Sequence, residues 1–155
     1  MQEHIQNELA SFIANCDWEK IAPHFKEDAA YRVLDWIGCA VAGEHYPQVE
    51  IAQKYFIENG DQGNSTVIGH QTKCSPRTAA FLNGIAGHVC ELDDGHRTAI
   101  GHPGSIAVPT ALALGEHLNA SGADVLKAVI LGYEVFSRLG RTVNPSHYRT
   151  WHTTG

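Results

Sequence analysis

The sequence predicts an all-α protein of several helices, with at most one short β element. Apolar residues recur at three- and four-residue steps over most of the chain, and proline, glycine and capping residues separate these segments. The 155 residues, 43% of them hydrophobic and 18% charged, suffice for one domain with a hydrophobic core. Because Gly155 falls within a predicted loop that nothing follows, we expect the domain to be truncated.

Six predicted helices have recognisable boundaries. In chain order they cover residues 4–14, 27–42, 47–58, 77–90, 103–118 and 124–140. Gly43 ends the second, and Asn59-Gly60 stops the third. Pro109 lies within the fifth, which predicts a kink or a late start there.

The segment before the fourth helix differs from the rest. Residues 65–68 are short and β-branched between two glycines, which predicts a small extended piece or hairpin. Ser75-Pro76 is typical of an N-cap followed by proline at the first helical position. The helix that follows is rich in alanine and glycine, so we expect it to be central in the packing.

Composition excludes several classes of function. The formal net charge is −6 without a basic cluster, which argues against nucleic-acid binding. The four cysteines are scattered without a CxxC pair, so neither a thiolate zinc site nor a disulfide framework is expected. There is neither a signal-peptide pattern nor an apolar run long enough to span a bilayer, and we expect a cytoplasmic protein.

The richest chemistry lies in the stretch HVCELDDGHRTAIGHPGS, residues 88–105. His88 and Glu91 are three positions apart, so on a helix they would share a face. Asp93 and Asp94 would then fall at the helix end, where carboxylates are unfavourable unless they have partners or a function. His102 comes just before a helix start, whose backbone N–H groups can bind an anion.

This pattern is suited to general acid/base catalysis on a small anionic substrate. A histidine would transfer the proton, a carboxylate would set its tautomer, and the helix start would hold a substrate carboxylate. The alternatives are caps and surface ion pairs, or a site for zinc, iron or manganese. Metal binding is disfavoured because the spacing matches neither HExxH nor a facial triad, and we expect no metal or other cofactor.

A second cluster occupies the predicted C-terminal loop. The run SHYRTWHTTG places His147, Tyr148, Arg149, Trp151 and His152 directly after a long helix. Loops carry function more often than core elements do, although a solvated polar loop is an equal alternative. The last residues of the run could start a further helix with free backbone N–H groups.

These motifs resemble the MmgE/PrpD family, which includes 2-methylcitrate dehydratase, cis-aconitate decarboxylase and iminodisuccinate epimerase. The resemblance rests on HVCELDDGHR, GHPGS and SHYRTWHTTG, and extends over VLDWIGCAVAG, STVIGHQTKCSPRTAAFLNGIAGH and VLKAVILGYEVFSRLGR. It implies that residues 1–155 are the N-terminal part of the family's helical domain, without the α+β lid domain. It also implies a homodimer, or a separately supplied C-terminal half, and metal-independent lyase or isomerase chemistry on di- or tricarboxylates.

The resemblance also suggests residue roles. The expected catalytic residues are His102 and His152 for proton transfer, with Asp93 and Glu91 orienting them or binding substrate. The expected substrate-binding residues are Asp94, His96, Arg97 and Ser105. The family often has aspartate where this chain has Glu91, and the segment 95–101 is expected to be longer than in the decarboxylase.

The sequence thus predicts part of a 2-methylcitrate dehydratase-like hydro-lyase that is not active alone. The alternative is an inactive remnant or a non-catalytic helical dimerisation module. In that module, apolar helix faces around Val33 and Val129 would bury against another copy or a partner chain.

Overall fold

The computed structural model describes the backbone of residues 2–151 and the side chains of residues 4–151. Within these residues the fold consists of six α-helices, two short 3₁₀ helices (Trp18–Lys20 and His147–Arg149) and one small hairpin. The α-helices are α1 (Gln2–Ala14), α2 (Pro23–Gly43), α3 (Pro47–Glu58), α4 (Pro76–His88), α5 (Gly104–Leu118) and α6 (Gly122–Val143). The predicted all-α class is therefore confirmed.

The hairpin pairs β1 (Ser65–Thr66) with β2 (Lys73–Cys74) in antiparallel register, as the β-branched segment predicted. Ser65 is fully buried, and its hydroxyl donates to the carbonyl of Ala113 on α5 at 2.7 Å. The hairpin is thereby held against the helices. None of the helices in the described part of the chain is long and apolar enough to cross a bilayer.

Helix starts are set by local sequence. Ser75 caps α4 by accepting a hydrogen bond from the backbone N–H of Thr78, and Pro76 occupies the first helical position, as predicted. Ser121 caps α6 in the same way through Asp124. Pro23 was predicted to lie before the second helix, but it is the first residue of α2, because a proline there forgoes no intrahelical bond.

Helix α4 is central, as its small residues predicted, and packs against both α2 and α5. A Cβ added at Gly43 would lie 2.0 Å from the carbonyl oxygen of Ala86, so α2 and α4 meet backbone to backbone. The main core combines residues of α2 to α6: Trp36, Ala40, Val49, Ala86, Val108, Ala111 and Val129. A second cluster lies below the hairpin: Val67, Cys74, Ala79, Leu82 and Ala113.

Neither Val33 nor Val129, the residues named for the dimerisation module, is exposed. Val129 is fully buried in the main core, and Val33 packs against that core from α2. A different apolar surface is open instead. A groove of about 750 Å³ runs between α5 and α6 and reaches the end of α1, and it exposes Ile106, Leu114 and Leu139.

Candidate active site

Asp93 is the centre of the histidine-rich loop between α4 and α5. Its carboxylate is fully buried, with His88 Nδ1 3.0 Å from Oδ1 and His102 Nδ1 3.4 Å from Oδ2. Ser105 donates its hydroxyl to the same Oδ2. Since an ionised carboxylate only accepts hydrogen bonds, it favours the Nδ1–H form of the imidazoles that face it.

The turn between α4 and Asp93 differs from the predicted one. Helix α4 ends at His88, whereas the sequence predicted about Cys90, so Glu91 does not share a helical face with His88. Instead Glu91 adopts a φ of +53°, and its N–H donates to the His88 carbonyl at 2.8 Å. This tight turn still brings Glu91 Oε1 to 3.8 Å from His88 Nε2. It also moves Asp93 away from the helix end and towards α5.

The two imidazoles lie side by side above Asp93. The ring centroids of His88 and His102 are 4.6 Å apart, at an interplanar angle of 59°. Both rings are partly accessible, with 30% and 20% of their side chains exposed. An imidazole oriented by a buried carboxylate and open to solvent on another edge can exchange a proton with a ligand.

The side chain of Asp94 lies against the N-terminus of α5. Its Oδ1 accepts the Gly104 N–H at 3.0 Å, and its Oδ2 accepts from Arg32 Nη1 at 2.9 Å. The predicted anion site at this helix start is therefore filled, in part, by a carboxylate of the chain itself. A Cβ at Gly104 would lie 2.6 Å from Asp94 Oδ1, so glycine permits this approach.

Two residues that sequence reasoning did not place at the site pack around Asp94. Arg32 also donates to Asp28 at 2.7 Å, and this bond chiefly raises the pKa of its guanidinium. The Arg32 guanidinium lies 5.2 Å from the ring centroid of Tyr133. Burial, reinforced by the negative charge of Asp94, raises the pKa of the Tyr133 hydroxyl well above its usual value. Tyr133 is therefore a neutral phenol near pH 7.

The remaining predicted residues lie elsewhere. The His96 N–H donates to the Gly101 carbonyl at 2.8 Å, which closes the loop 96–101, and His96 Nδ1 accepts from the Ala99 N–H at 3.0 Å. Arg97 is exposed on this loop. Among the described residues, neither His96 nor Arg97 has a hydrogen bond or ion pair with Asp93. His152 lies outside the described residues.

A groove of about 670 Å³ runs beside the Asp94 side of this loop. Its walls come from α1, α2 and α6 and are largely apolar, while Arg32, Asp94 and His96 provide polar groups. His88 and His102 do not line it. The paired imidazoles and the groove are therefore two neighbouring features on either side of the loop.

One set of side chains has the composition of a metal site. His88, Glu91 and His102 each offer a donor atom, and the three atoms lie within 4.8 Å of one another. Asp93 approaches the Nδ1 atoms of both imidazoles, at 3.0 Å for His88 and 3.4 Å for His102.

These features define a helical domain in which one buried carboxylate holds two imidazoles at the surface. A family model described as the MmgE/PrpD N-terminal domain matches residues 7–155. The chain therefore belongs to the MmgE/PrpD family, as its motifs predicted.

The similar curated proteins are cis-aconitate decarboxylases and a protein described as like them. A cis-aconitate decarboxylase-like protein of Aspergillus oryzae is 30% identical over 97% of this chain and 33% of its own length. The cis-aconitate decarboxylase of Aspergillus terreus is 32% identical over 96% of this chain and 32% of its own. The human enzyme is 35% identical over 69% of this chain and 23% of its own. The chain thus spans about a third of the length of its first relatives.

Proposed function

We propose that this chain contributes the acid/base residues of the active site of a lyase. The lyase would act on a small di- or tricarboxylate and use no metal. The observation that carries the proposal is the buried carboxylate of Asp93 beside the Nδ1 atoms of both His88 and His102. Family membership and relatives described as cis-aconitate decarboxylases support it. Activity would require the further chain that the relatives possess, as a homodimer or with a separately supplied C-terminal half.

His102 is the proposed proton-transfer group of the described residues, with His152 as its partner. The Asp93 carboxylate, 3.4 Å from His102 Nδ1, favours a proton on that nitrogen, and Nε2 is then the basic atom of a neutral imidazole. In a dehydration it would take the proton next to a substrate carboxylate while an acid protonates the leaving hydroxyl. In a decarboxylation the protonated ring would deliver a proton to the carbanion that loss of CO₂ leaves.

Other side chains take positioning and binding roles in this proposal. Ser105 is predicted to bind substrate, but its buried hydroxyl donates to Asp93, and this contact favours a positioning role. Asp94 is bound to Arg32 and Gly104, which favours a structural role over substrate contact. Arg97 remains a predicted substrate contact because its exposed guanidinium suits a carboxylate.

The first test is turnover of cis-aconitate and of 2-methylcitrate, by the chain with and without a supplied C-terminal half. Release of CO₂ from cis-aconitate would assign decarboxylation, and loss of water from 2-methylcitrate would assign the dehydration that the motifs suggested. In the active form, His102→Ala should lower kcat by about 10²-fold or more. His45→Ala is the matched control, since His45 is 84% exposed beside Glu44. Full activity of His102→Ala would overturn the proposal.

The family chemistry is proposed to take place in the cytoplasm. The four cysteines, Cys16, Cys39, Cys74 and Cys90, are all free thiols. Free thiols are typical of a reducing compartment. Fractionation of cells that carry a tagged full-length protein would test this location.

A second candidate function, a helical dimerisation module, is favoured by the apolar groove between α5 and α6. We assign this groove to a second copy of the chain, since it exposes Ile106, Leu114 and Leu139 in one continuous surface. Light scattering during size-exclusion chromatography would give the mass. A stable dimer without turnover that Leu114→Glu converts to a monomer would support the module. A wild-type monomer would exclude it.

A further inference from the structure

We propose that His88, Glu91 and His102 form a binding site for a divalent transition-metal ion, with Zn²⁺ the best fit. The inference goes beyond the proposed lyase function, which needs no metal, and does not depend on it. It concerns what these three side chains bind when no organic substrate lies between them.

The donor set selects the class of ion. Two imidazole nitrogens and one carboxylate oxygen suit zinc and its neighbours, whereas Mg²⁺ and Ca²⁺ prefer oxygen ligands alone. Three protein ligands with one coordination position open to solvent are also the usual arrangement of accessible zinc sites. The partial exposure of both rings leaves room for that fourth position.

The three donor atoms would need to move only slightly closer together to bind one tetrahedral ion. Ligand atoms about 2.1 Å from a tetrahedral ion are separated from one another by about 3.4 Å. The three donor atoms here already lie within 4.8 Å of one another, and His88 Nε2 is 3.8 Å from Glu91 Oε1. The Glu91 side chain is 75% exposed, so its carboxylate can move the remaining distance without repacking the core.

Asp93 gives the two histidines the support that metal ligands usually have. A ligating histidine almost always donates its second ring N–H to a carboxylate, carbonyl or water, which fixes the ring and strengthens its basic nitrogen. Here one fully buried carboxylate faces the Nδ1 atoms of both His88 and His102. The carboxylate–histidine pair of a metal site is thus formed at His88, 3.0 Å from Asp93, while His102 Nδ1 lies at the longer ion-pair distance of 3.4 Å.

Charge and backbone conformation agree with this assignment. The carboxylates of Glu91 and Asp93 both lie beside the imidazoles, and a divalent cation would offset negative charge placed there. Glu91 adopts a φ of +53°, a conformation that costs a non-glycine residue about 1 kcal/mol or more. That conformation directs the chain back so that the Glu91 carboxylate lies beside His88.

The test is calorimetric titration of the 155-residue chain with ZnCl₂, repeated with Co²⁺ to read its visible absorption. We expect one ion per chain and a Co²⁺ spectrum of low coordination number. Glu91→Gln and His88→Ala should each weaken binding at least 10-fold, and Asp93→Asn should weaken it 10- to 100-fold. Glu44→Gln and His45→Ala, which alter an exposed histidine–glutamate pair without a third donor, should leave it unchanged.

Two results would overturn the proposal. One is the absence of saturable Zn²⁺ binding to the wild-type chain. The other is an unchanged affinity in Glu91→Gln, because this substitution of a 75% exposed side chain replaces a charged carboxylate ligand by a weaker amide oxygen. Circular dichroism of each variant separates a lost ligand from a lost fold, so a folded His88→Ala chain that binds Zn²⁺ as tightly as wild type would also contradict it.

Discussion

Replacing Asp93 with asparagine tests the centre of the site. The carboxylate accepts from Ser105 and faces His88 Nδ1 at 3.0 Å, whereas asparagine offers one acceptor oxygen and one NH₂ group. One of these donors therefore loses its acceptor, and an unsatisfied buried donor costs about 1–3 kcal/mol. For a urea m-value of about 2 kcal/mol/M, the unfolding midpoint should fall by about 0.5–1.5 M.

If His88 instead changes its tautomer, neither donor is left without an acceptor and the loss of stability should be smaller. An amide NH₂ directed at Nδ1 stabilises the form in which Nδ1 accepts and Nε2 carries the proton, and this form is detectable in ¹⁵N-labelled imidazole spectra. Asp35→Asn is the control, because Asp35 is exposed on α2 and such changes stay within about 0.5 kcal/mol. An Asp93→Asn chain with wild-type stability and an unchanged His88 tautomer would refute the assigned role.

Three further substitutions test the fold, each by urea unfolding. Gly43→Ala should destabilise the chain by about 3 kcal/mol or more, because the new Cβ meets the Ala86 carbonyl at 2.0 Å; a loss below 1 kcal/mol would contradict the close helix contact. Leu82→Ala should cost about 3 kcal/mol, since Leu82 is buried in the second core cluster; no loss would mean that α4 does not pack there. Burial raises the pKa of Asp61, but hydrogen bonds from Ser75 outweigh burial, so the pKa is lower than usual. The stability that Asp61→Asn removes should therefore be constant above about pH 5 and vanish as the pH falls below about 4. A pH-independent difference would contradict this.

Features that depend on neighbouring residues were predicted well. The cap at Ser75-Pro76 and the short extended piece predicted at residues 65–68 follow from local backbone chemistry; the cap is present, and residues 65–66 form one strand of the hairpin. Periodicity located the helices but did not select their buried face. On α2, Leu34 and Val41 are among the periodically spaced apolar residues yet are 65% and 51% exposed, whereas Trp36 is buried. The packing of α4 against α2 determines which face of α2 is buried. The spacing of apolar residues along the sequence carries no information about that packing.

The candidate site shows the same division between local and distant contacts. His88, Asp93 and His102 lie within fifteen positions, so their proximity could be inferred from the chain. Arg32 is 62 positions from Asp94, and nothing in the sequence distinguishes it from other arginines on a predicted helix. Only the fold therefore reveals the ion pair between them. The reversal at Glu91 was also not predictable, because a left-handed glutamate has no sequence signature comparable to glycine.

The two proposals for the histidine pair share Asp93 but differ in their need for Glu91, and can therefore be separated. Proton transfer requires Asp93, which orients the rings, whereas metal binding also requires the reach of Glu91. Glu91→Asp shortens the side chain by one C–C bond of about 1.5 Å, which moves a carboxylate now 3.8 Å from His88 Nε2 out of ligand range. The variant should lose Zn²⁺ affinity at least 10-fold while the tautomers of His88 and His102 stay as in wild type. If the tautomers change together with the affinity, Glu91 orients the rings as Asp93 does, and the separation of roles is wrong.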